Sequence, residues 1–131
     1  MMYLWVAIGG ALGSMMRYGF SGIVAELTGQ AFPYGTMFVN VTGALLIGIL
    51  ASLSAPESRF FIPAPARILL MTGICGGYTT FSTFSLESFN LLREGEFAPA
   101  LANMLLSVVL CVLAVWFGYA ATFALSRPRG G

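Results

Sequence analysis

Glycine, hydroxyl and aromatic residues are concentrated at positions 76–85, where the sequence GGYTTFSTFS interrupts a long hydrophobic stretch. Consecutive glycines followed by two threonines make a poor helix interior, so we expect a membrane helix to break around residues 76–80. Backbone groups at membrane depth need a partner, which packing, a bound ion or a water-filled path can supply. A cation held by backbone oxygens would satisfy the freed carbonyls, and a kink closed by Ser and Thr hydroxyls is the alternative.

Beyond the predicted break, helical spacing places side chains on two neighbouring stripes. One stripe carries Phe81, Phe84, Ser85 and Ser88, and the adjacent one carries Thr80, Thr83 and Glu87. Phenylalanines at this spacing usually face lipid or a core. A hydroxylated track beside them favours a wet or protein-lined path through the membrane.

Four more polar residues lie inside apolar segments. Asn40 offers uncharged amide donors, which suit an anion that must be released again, or else it hydrogen-bonds another helix. Arg17 must be paired or hydrated, so it either faces a vestibule that attracts anions or anchors the fold. Asn103 and Ser107 lie four residues apart on one helical face and either line a pathway or join two helices.

The residue types that are missing exclude most catalytic chemistry. The chain contains no His, Lys or Asp, and its charges come from six Arg and five Glu. A serine triad and a histidine–carboxylate metal site are therefore excluded, and two cysteines cannot close a zinc site. We predict that the chain is not an enzyme. A net charge of +1 gives no reason to expect a nucleic-acid partner.

Four apolar segments must position these residues. With 58% hydrophobic and 8% charged residues, the chain is predicted to be an all-α, multi-pass membrane protein. The segments cover residues 3–27, 34–54, 64–92 and 97–125, each long enough to cross the hydrocarbon, and residues 1–131 form a single transmembrane domain. Short connections at residues 28–33, 55–65 and 93–96 would leave both termini on one side.

Small residues recur at four-residue spacing in every segment. The pairs are Gly9 and Gly13, Ala44 and Gly48, Gly73 and Gly77, and Ala114 and Gly118. Such pairs let helix backbones approach closely, and four thin helices are expected to extend this packing to a second subunit. A dimer is therefore the economical assumption.

The distribution of arginine predicts an orientation in the membrane. Arg59, Arg67, Arg127 and Arg129 lie on the side of the termini, whereas Arg93 lies opposite. The positive-inside rule thus favours cytoplasmic termini if the chain inserts in a single orientation.

The chain resembles, over its whole length, the Fluc (CrcB) family of small fluoride channels. The residues that carry the resemblance are Gly9-Gly10-Ala11-Leu12-Gly13 with Arg17-Tyr18, Gly35-Thr36 with Val39-Asn40 and Gly43, the segment 76–85, and Asn103 with Ser107. The resemblance implies an antiparallel, dual-topology homodimer in the inner or plasma membrane. Each dimer would hold two fluoride pores at the subunit interface, with a third transmembrane helix that is broken mid-membrane.

The resemblance also implies roles for individual residues. Phe81 and Phe84 would line the pores with their ring edges, and Asn40 would donate to fluoride. Ser82, Thr83, Glu87 and Ser107 would lie on or near a polar track, while Arg17, Glu87 and Asn103 would have vestibule or structural roles. Backbone carbonyls of Gly76 and Thr79 from each subunit would bind a structural sodium ion at the dimer centre.

The function implied is passive export of cytoplasmic fluoride, which reduces its toxicity. One alternative is a proton-coupled small multidrug-type transporter, which needs a carboxylate in the first helix, whereas Glu26 lies at the end of that helix. A non-conducting membrane subunit is another. Within the family, a heterodimer subunit of fixed orientation is the runner-up to the dual-topology homodimer, because the arginine distribution is more one-sided than equal insertion in both directions would give.

Overall fold

The computed structural model describes residues 1–126, which are helical apart from their connections and contain no strand. The helices are α1 (Met2–Thr28), α2 (Tyr34–Leu53), α3 (Ala64–Arg67), a π-helical segment (Ile68–Cys75), α4 (Gly76–Tyr78), α5 (Phe81–Arg93) and α6 (Phe97–Ser126). They correspond to the four predicted apolar segments, the third of which is divided into several pieces. Arg127 and Arg129, which entered the orientation prediction, lie outside the described residues.

Turn-forming residues set the ends of the helices. Gly29 follows α1 with a φ of 81°, and Gly95 lies after α5 with a φ of 77°. Backbone in this left-handed region is favourable only for glycine, so both helices stop there. Pro65 lies in the first turn of α3, where its missing amide costs no hydrogen bond.

The surface and the interior of the molecule have opposite polarity. Helices α2 and α6 are each long and apolar enough to cross a membrane. Outward-facing side chains of α6 are large and apolar, and Trp116 is 67% exposed. Polar residues such as Ser88, Asn103 and Ser107 are buried instead. This arrangement suits surroundings of lipid, and the chain is an all-α membrane protein.

Glycines bring the helices into close contact. A methyl group added to Gly9 would lie 2.8 Å from the Cα of Gly73, which brings α1 against the π-helical segment. A methyl group on Gly48 would lie 3.0 Å from the Cα of Val115, which brings α2 against α6. The prediction that these small residues allow close helix packing is confirmed at these positions, and here the packing is within one chain.

The helical structure of the third apolar segment is interrupted at two residues. Thr79 has φ −90° and ψ 158°, and Thr80 has φ −149° and ψ 119°, so both are extended. An interruption within residues 76–80 is therefore confirmed, and it falls on the two threonines of the predicted segment, whereas Gly76 and Gly77 are helical. A methyl group on Gly77 would lie 2.6 Å from the Gly10 carbonyl oxygen, so this glycine serves close packing instead. The π-helical segment before the break was not predicted.

Candidate functional site

Asn40 clasps the break through both polar atoms of its amide. Its Nδ2 donates to the Thr80 carbonyl at 3.0 Å, and the Thr80 amide donates to its Oδ1 at 2.7 Å. In a continuous helix the Thr80 amide would instead donate to the carbonyl of Gly76, four residues earlier. One Nδ2 hydrogen of Asn40 is not used by Thr80 and can serve another acceptor.

Arg17 is paired with the other side of the break. Its Nε donates to the Gly77 carbonyl at 2.9 Å, which links α1 to the short helix α4. In a continuous helix this carbonyl would accept from the Phe81 amide. The contact corresponds to the anchoring role, one of the two that the sequence left open for Arg17.

The two threonines of the break close the helix ends on either side of it. The Thr79 hydroxyl donates to the Cys75 carbonyl at 2.9 Å, near the end of α4. The Thr80 hydroxyl accepts from the Thr83 amide at 3.2 Å and so caps the start of α5. Exposed Ser82 places its hydroxyl 3.3 Å from that of Thr80. Hydroxyls therefore satisfy part of the backbone at the break, in addition to the clasps from α1 and α2.

A groove of about 370 Å³ runs along the break and is open on one side of the chain. We call it the break groove. It brings together six of the predicted site residues, namely Asn40, Gly76, Thr79, Phe81, Phe84 and Ser107. The rings of Phe81 and Phe84 are 5.7 Å apart and inclined by 47°. Phe81 is 77% exposed, which places its ring at the open side.

Asn103 lies behind the groove and not in its wall. Its Nδ2 donates to the Ser88 hydroxyl at 2.9 Å, and the Ser107 hydroxyl donates to its Oδ1 at 3.3 Å. All three residues are buried. Because Ser107 gives its single hydroxyl proton to Asn103, it presents lone pairs to the groove in this arrangement. Asn103 thus joins α5 and α6, the interhelical alternative.

A second cavity, of about 710 Å³, lies between the C-terminal part of α1, the connection that follows it, the first turn of α2 and one face of α5. We call it the polar cavity. Thr83 and Glu87 are the predicted site residues that line it. The Thr36 hydroxyl donates to Oε1 of Glu87 at 2.7 Å, while Oε2 is buried without a hydrogen-bond partner in residues 1–126. The sequence predictions therefore divide between two spaces, with Ser82, Arg17 and Asn103 lining neither.

Sequence reasoning assigned no role to Thr36, which lines the polar cavity, or to Tyr78, the last residue of α4 before the break. Thr36 precedes Asn40 by four residues on α2, and this spacing was the signal available. Tyr78 is 7% exposed, and its hydroxyl lies 2.8 Å from that of Thr42. No local pattern indicates this pairing, because the two residues are 36 positions apart.

Fold and site together define a helical membrane protein with uncharged donors and aromatic rings gathered at an interrupted helix. Comparison with known proteins agrees with this class. The family model for CrcB-like protein, Camphor Resistance (CrcB), matches residues 4–119. The chain belongs to this family, and the resemblance inferred from the sequence is confirmed.

Several curated relatives that match most of the chain are named fluoride-specific ion channel FluC. The fluoride-specific ion channel FluC of Methylocella silvestris is 49% identical over 128 residues, which cover 98% of each chain. The FluC protein of Opitutus terrae is also 49% identical, over 129 residues and 98% of each chain. The FluC protein of Nitrobacter winogradskyi is 56% identical over 115 residues, or 88% of this chain and 90% of the relative.

Proposed function

We propose that the chain forms a fluoride-selective channel through which fluoride leaves the cytoplasm passively. The observation that carries the proposal is the break groove, which gathers uncharged hydrogen-bonding groups and two aromatic rings beside an interrupted helix. The names of relatives that match nearly the whole chain support fluoride as the ion.

The groove offers an anion several weak interactions in series. The edge of an aromatic ring carries partial positive charge, so Phe81 and Phe84 can face fluoride without a formal charge. The Nδ2 hydrogen of Asn40 that Thr80 does not use supplies an uncharged donor on the α2 side of the groove. Full positive charge would hold a small anion too tightly, whereas these groups can replace its water and still release it.

We further propose four membrane crossings and an antiparallel homodimer with two pores. In one chain the groove is open, and Phe81 and Val108, which line it, are 77% and 57% exposed. A second copy laid against this face would close the groove and complete its wall. Each copy would then contribute to both pores. The dimer would lie in the inner or plasma membrane.

The carbonyls of Gly76 and Thr79 are suited to a structural sodium ion at the dimer centre. Both residues line the break groove, and the Gly76 carbonyl loses its helical donor because the Thr80 amide bonds Asn40. Residues 1–126 contain no group of three or more His, Cys, Asp or Glu that could hold a metal ion. Carbonyl oxygens at broken membrane helices are known sodium ligands, so the donors fit. Bound sodium would add positive field between two anion paths.

Flux from liposomes tests the channel directly. Purified protein is reconstituted into vesicles loaded with potassium fluoride or potassium chloride, valinomycin is added, and the released anion is followed with ion-selective electrodes. We expect fast fluoride release and chloride release at the level of protein-free vesicles. Equal release of both anions, or no fluoride release above protein-free vesicles, would contradict the proposal. Drug-dependent proton movement would favour the multidrug-type alternative.

Labelling tests the orientation. In a Cys75→Ala, Cys111→Ala background, a cysteine introduced at Arg93 is treated with an impermeant maleimide in intact cells. An antiparallel homodimer leaves half of these thiols outside, whereas a subunit of fixed orientation leaves all or none outside.

A further inference from the structure

Arg17 takes the place of a backbone amide at the break. Its Nε donates to the Gly77 carbonyl at 2.9 Å, although the two residues are 60 positions apart. In an uninterrupted helix the Phe81 amide would donate to this carbonyl. The extended residues Thr79 and Thr80 keep that amide away from it. The guanidinium thus binds the Gly77 carbonyl, which would otherwise accept a hydrogen bond from the Phe81 amide.

The surroundings fix the arginine and its acceptor against each other. Gly10, Ser14 and Arg17 lie on one face of α1, at spacings of four and three residues. A methyl group on Gly77 would lie 2.6 Å from the Gly10 carbonyl oxygen and 3.1 Å from the Ser14 amide nitrogen. The end of α4 is therefore packed directly on α1, and one turn further along α1 the arginine meets the Gly77 carbonyl.

Arg17 reaches the proposed pathway through the backbone. It lines neither the break groove nor the polar cavity. Phe81, in contrast, lines the groove and begins α5. Arg17 therefore does not contact an ion in the groove, and the contact that it does make is with the Gly77 carbonyl, where the chain leaves α4.

We propose that Arg17 is a positioning residue of the channel. Its guanidinium holds the Gly77 carbonyl, keeps the helix broken, and so holds the Phe81 ring at the groove; the proposal rests on the proposed fluoride conduction. Without this donor, the Phe81 amide regains the Gly77 carbonyl and the ring turns away from the groove. The hydrogen-bond donor of Arg17 matters more than its charge, because the hydrogen bond to the Gly77 carbonyl is what displaces the helical bond from the Phe81 amide.

Two substitutions separate the donor from the charge. In Arg17→Gln the amide nitrogen stands as many bonds from the backbone as Nε, so the side chain keeps a donor and loses the charge. Arg17→Met has similar length and loses both. Arg93→Met is the matched control. The Arg93 guanidinium carbon lies 5.9 Å from the centre of the Phe89 ring, and Arg93 lines neither the break groove nor the polar cavity.

Flux and hydrogen exchange are measured on the same dimeric preparations. We expect Arg17→Met to lower fluoride efflux at least about tenfold at every fluoride concentration, and Arg17→Gln to stay within about threefold of the unaltered chain. Arg93→Met should match the unaltered chain. By mass spectrometry, the peptide containing Phe81 should exchange more slowly in Arg17→Met, because its amide is again hydrogen-bonded within the helix.

Several results would overturn the proposal. Equal losses in Arg17→Gln and Arg17→Met would mean that the charge is what matters, and so would a loss that disappears at high fluoride. If fluoride efflux and hydrogen exchange are both unchanged in Arg17→Met, Arg17 has no positioning role. If Arg17→Met does not assemble, Arg17→Gln decides, since a tenfold loss there contradicts the proposal. If the unaltered chain conducts no fluoride, the proposed function fails, while the exchange comparison still tests Arg17.

Discussion

Replacing Asn40 with leucine removes the clasp on Thr80 and nearly keeps the size of the side chain. The Thr80 amide and carbonyl would lose partners that now lie at 2.7 and 3.0 Å. Side-chain hydrogen bonds in membrane proteins average about 0.6 kcal/mol each, and a buried backbone group left unpaired adds about 1–3 kcal/mol. Because Thr80 is only half-buried, we expect a total of about 2–3 kcal/mol. The clasped break would become about 30- to 150-fold less favourable.

Loss of the Asn40 hydrogen bonds should affect both fluoride conduction and sodium binding. The released Thr80 amide can return to the Gly76 carbonyl, which takes one oxygen from the proposed sodium site and shifts the groove wall. We expect Asn40→Leu to lower fluoride efflux at least about tenfold and to weaken the stabilisation of the dimer by sodium. Efflux is measured at equal dimer per vesicle, and thermal unfolding is followed in sodium and in N-methylglucamine.

A matched control and two outcomes make the test decisive. Phe38→Leu places leucine on the outward face of α2, two residues from the clasp, and should change neither readout. Efflux of Asn40→Leu equal to that of the unaltered chain would refute the reasoning. Lower efflux with unchanged sodium dependence would show that Asn40 acts on fluoride directly and not through the break.

Three further substitutions test the ring, the helix packing and the buried network. Phe81→Ile should lower fluoride efflux at least about tenfold while size-exclusion chromatography still shows a dimer, because the ring edge is lost and the volume is nearly kept; unchanged efflux would remove the ring from the pathway. Gly9→Ala should destabilise the fold by about 1–3 kcal/mol, since the new methyl meets a backbone Cα at 2.8 Å, whereas Gly10→Ala meets nothing within 4 Å and should melt like the unaltered chain. Asn103→Ala should cost about 1–3 kcal/mol in thermal or denaturant unfolding by leaving two buried serine hydroxyls poorly paired, and a loss of flux without a loss of stability would contradict this structural role.

Local pattern was sufficient for some features of the site and insufficient for others. The spacing of Phe81 and Phe84 correctly predicted that their rings lie together, because residues three apart share a helix face. The same rule placed Ser88 on their stripe, yet Ser88 points inward to Asn103 while Phe81 is 77% exposed. A stripe spans a wide angle, and only the packing of α6 decides which part of it is buried.

The glycines illustrate the same limit. Two glycines followed by two threonines predicted a poor helix interior, and a break does occur within these residues. The glycines themselves stay helical, with Gly77 packed against α1, while the extended residues are the threonines that follow. Propensity therefore located the break to within a few residues, and contact with another helix placed it.

By itself the sequence determined the apolar helices, their approximate ends, the interruption in the third segment and the membership of the CrcB family, because composition, periodicity and motif are properties of neighbouring residues. The tertiary structure alone decided that Asn40 holds Thr80, that Arg17 holds Gly77 and that Asn103 lies behind the groove. Each of these partners is 15 to 60 positions away along the chain. Hydrogen bonds over such separations depend on which helix faces are packed together, and that is set by the whole fold.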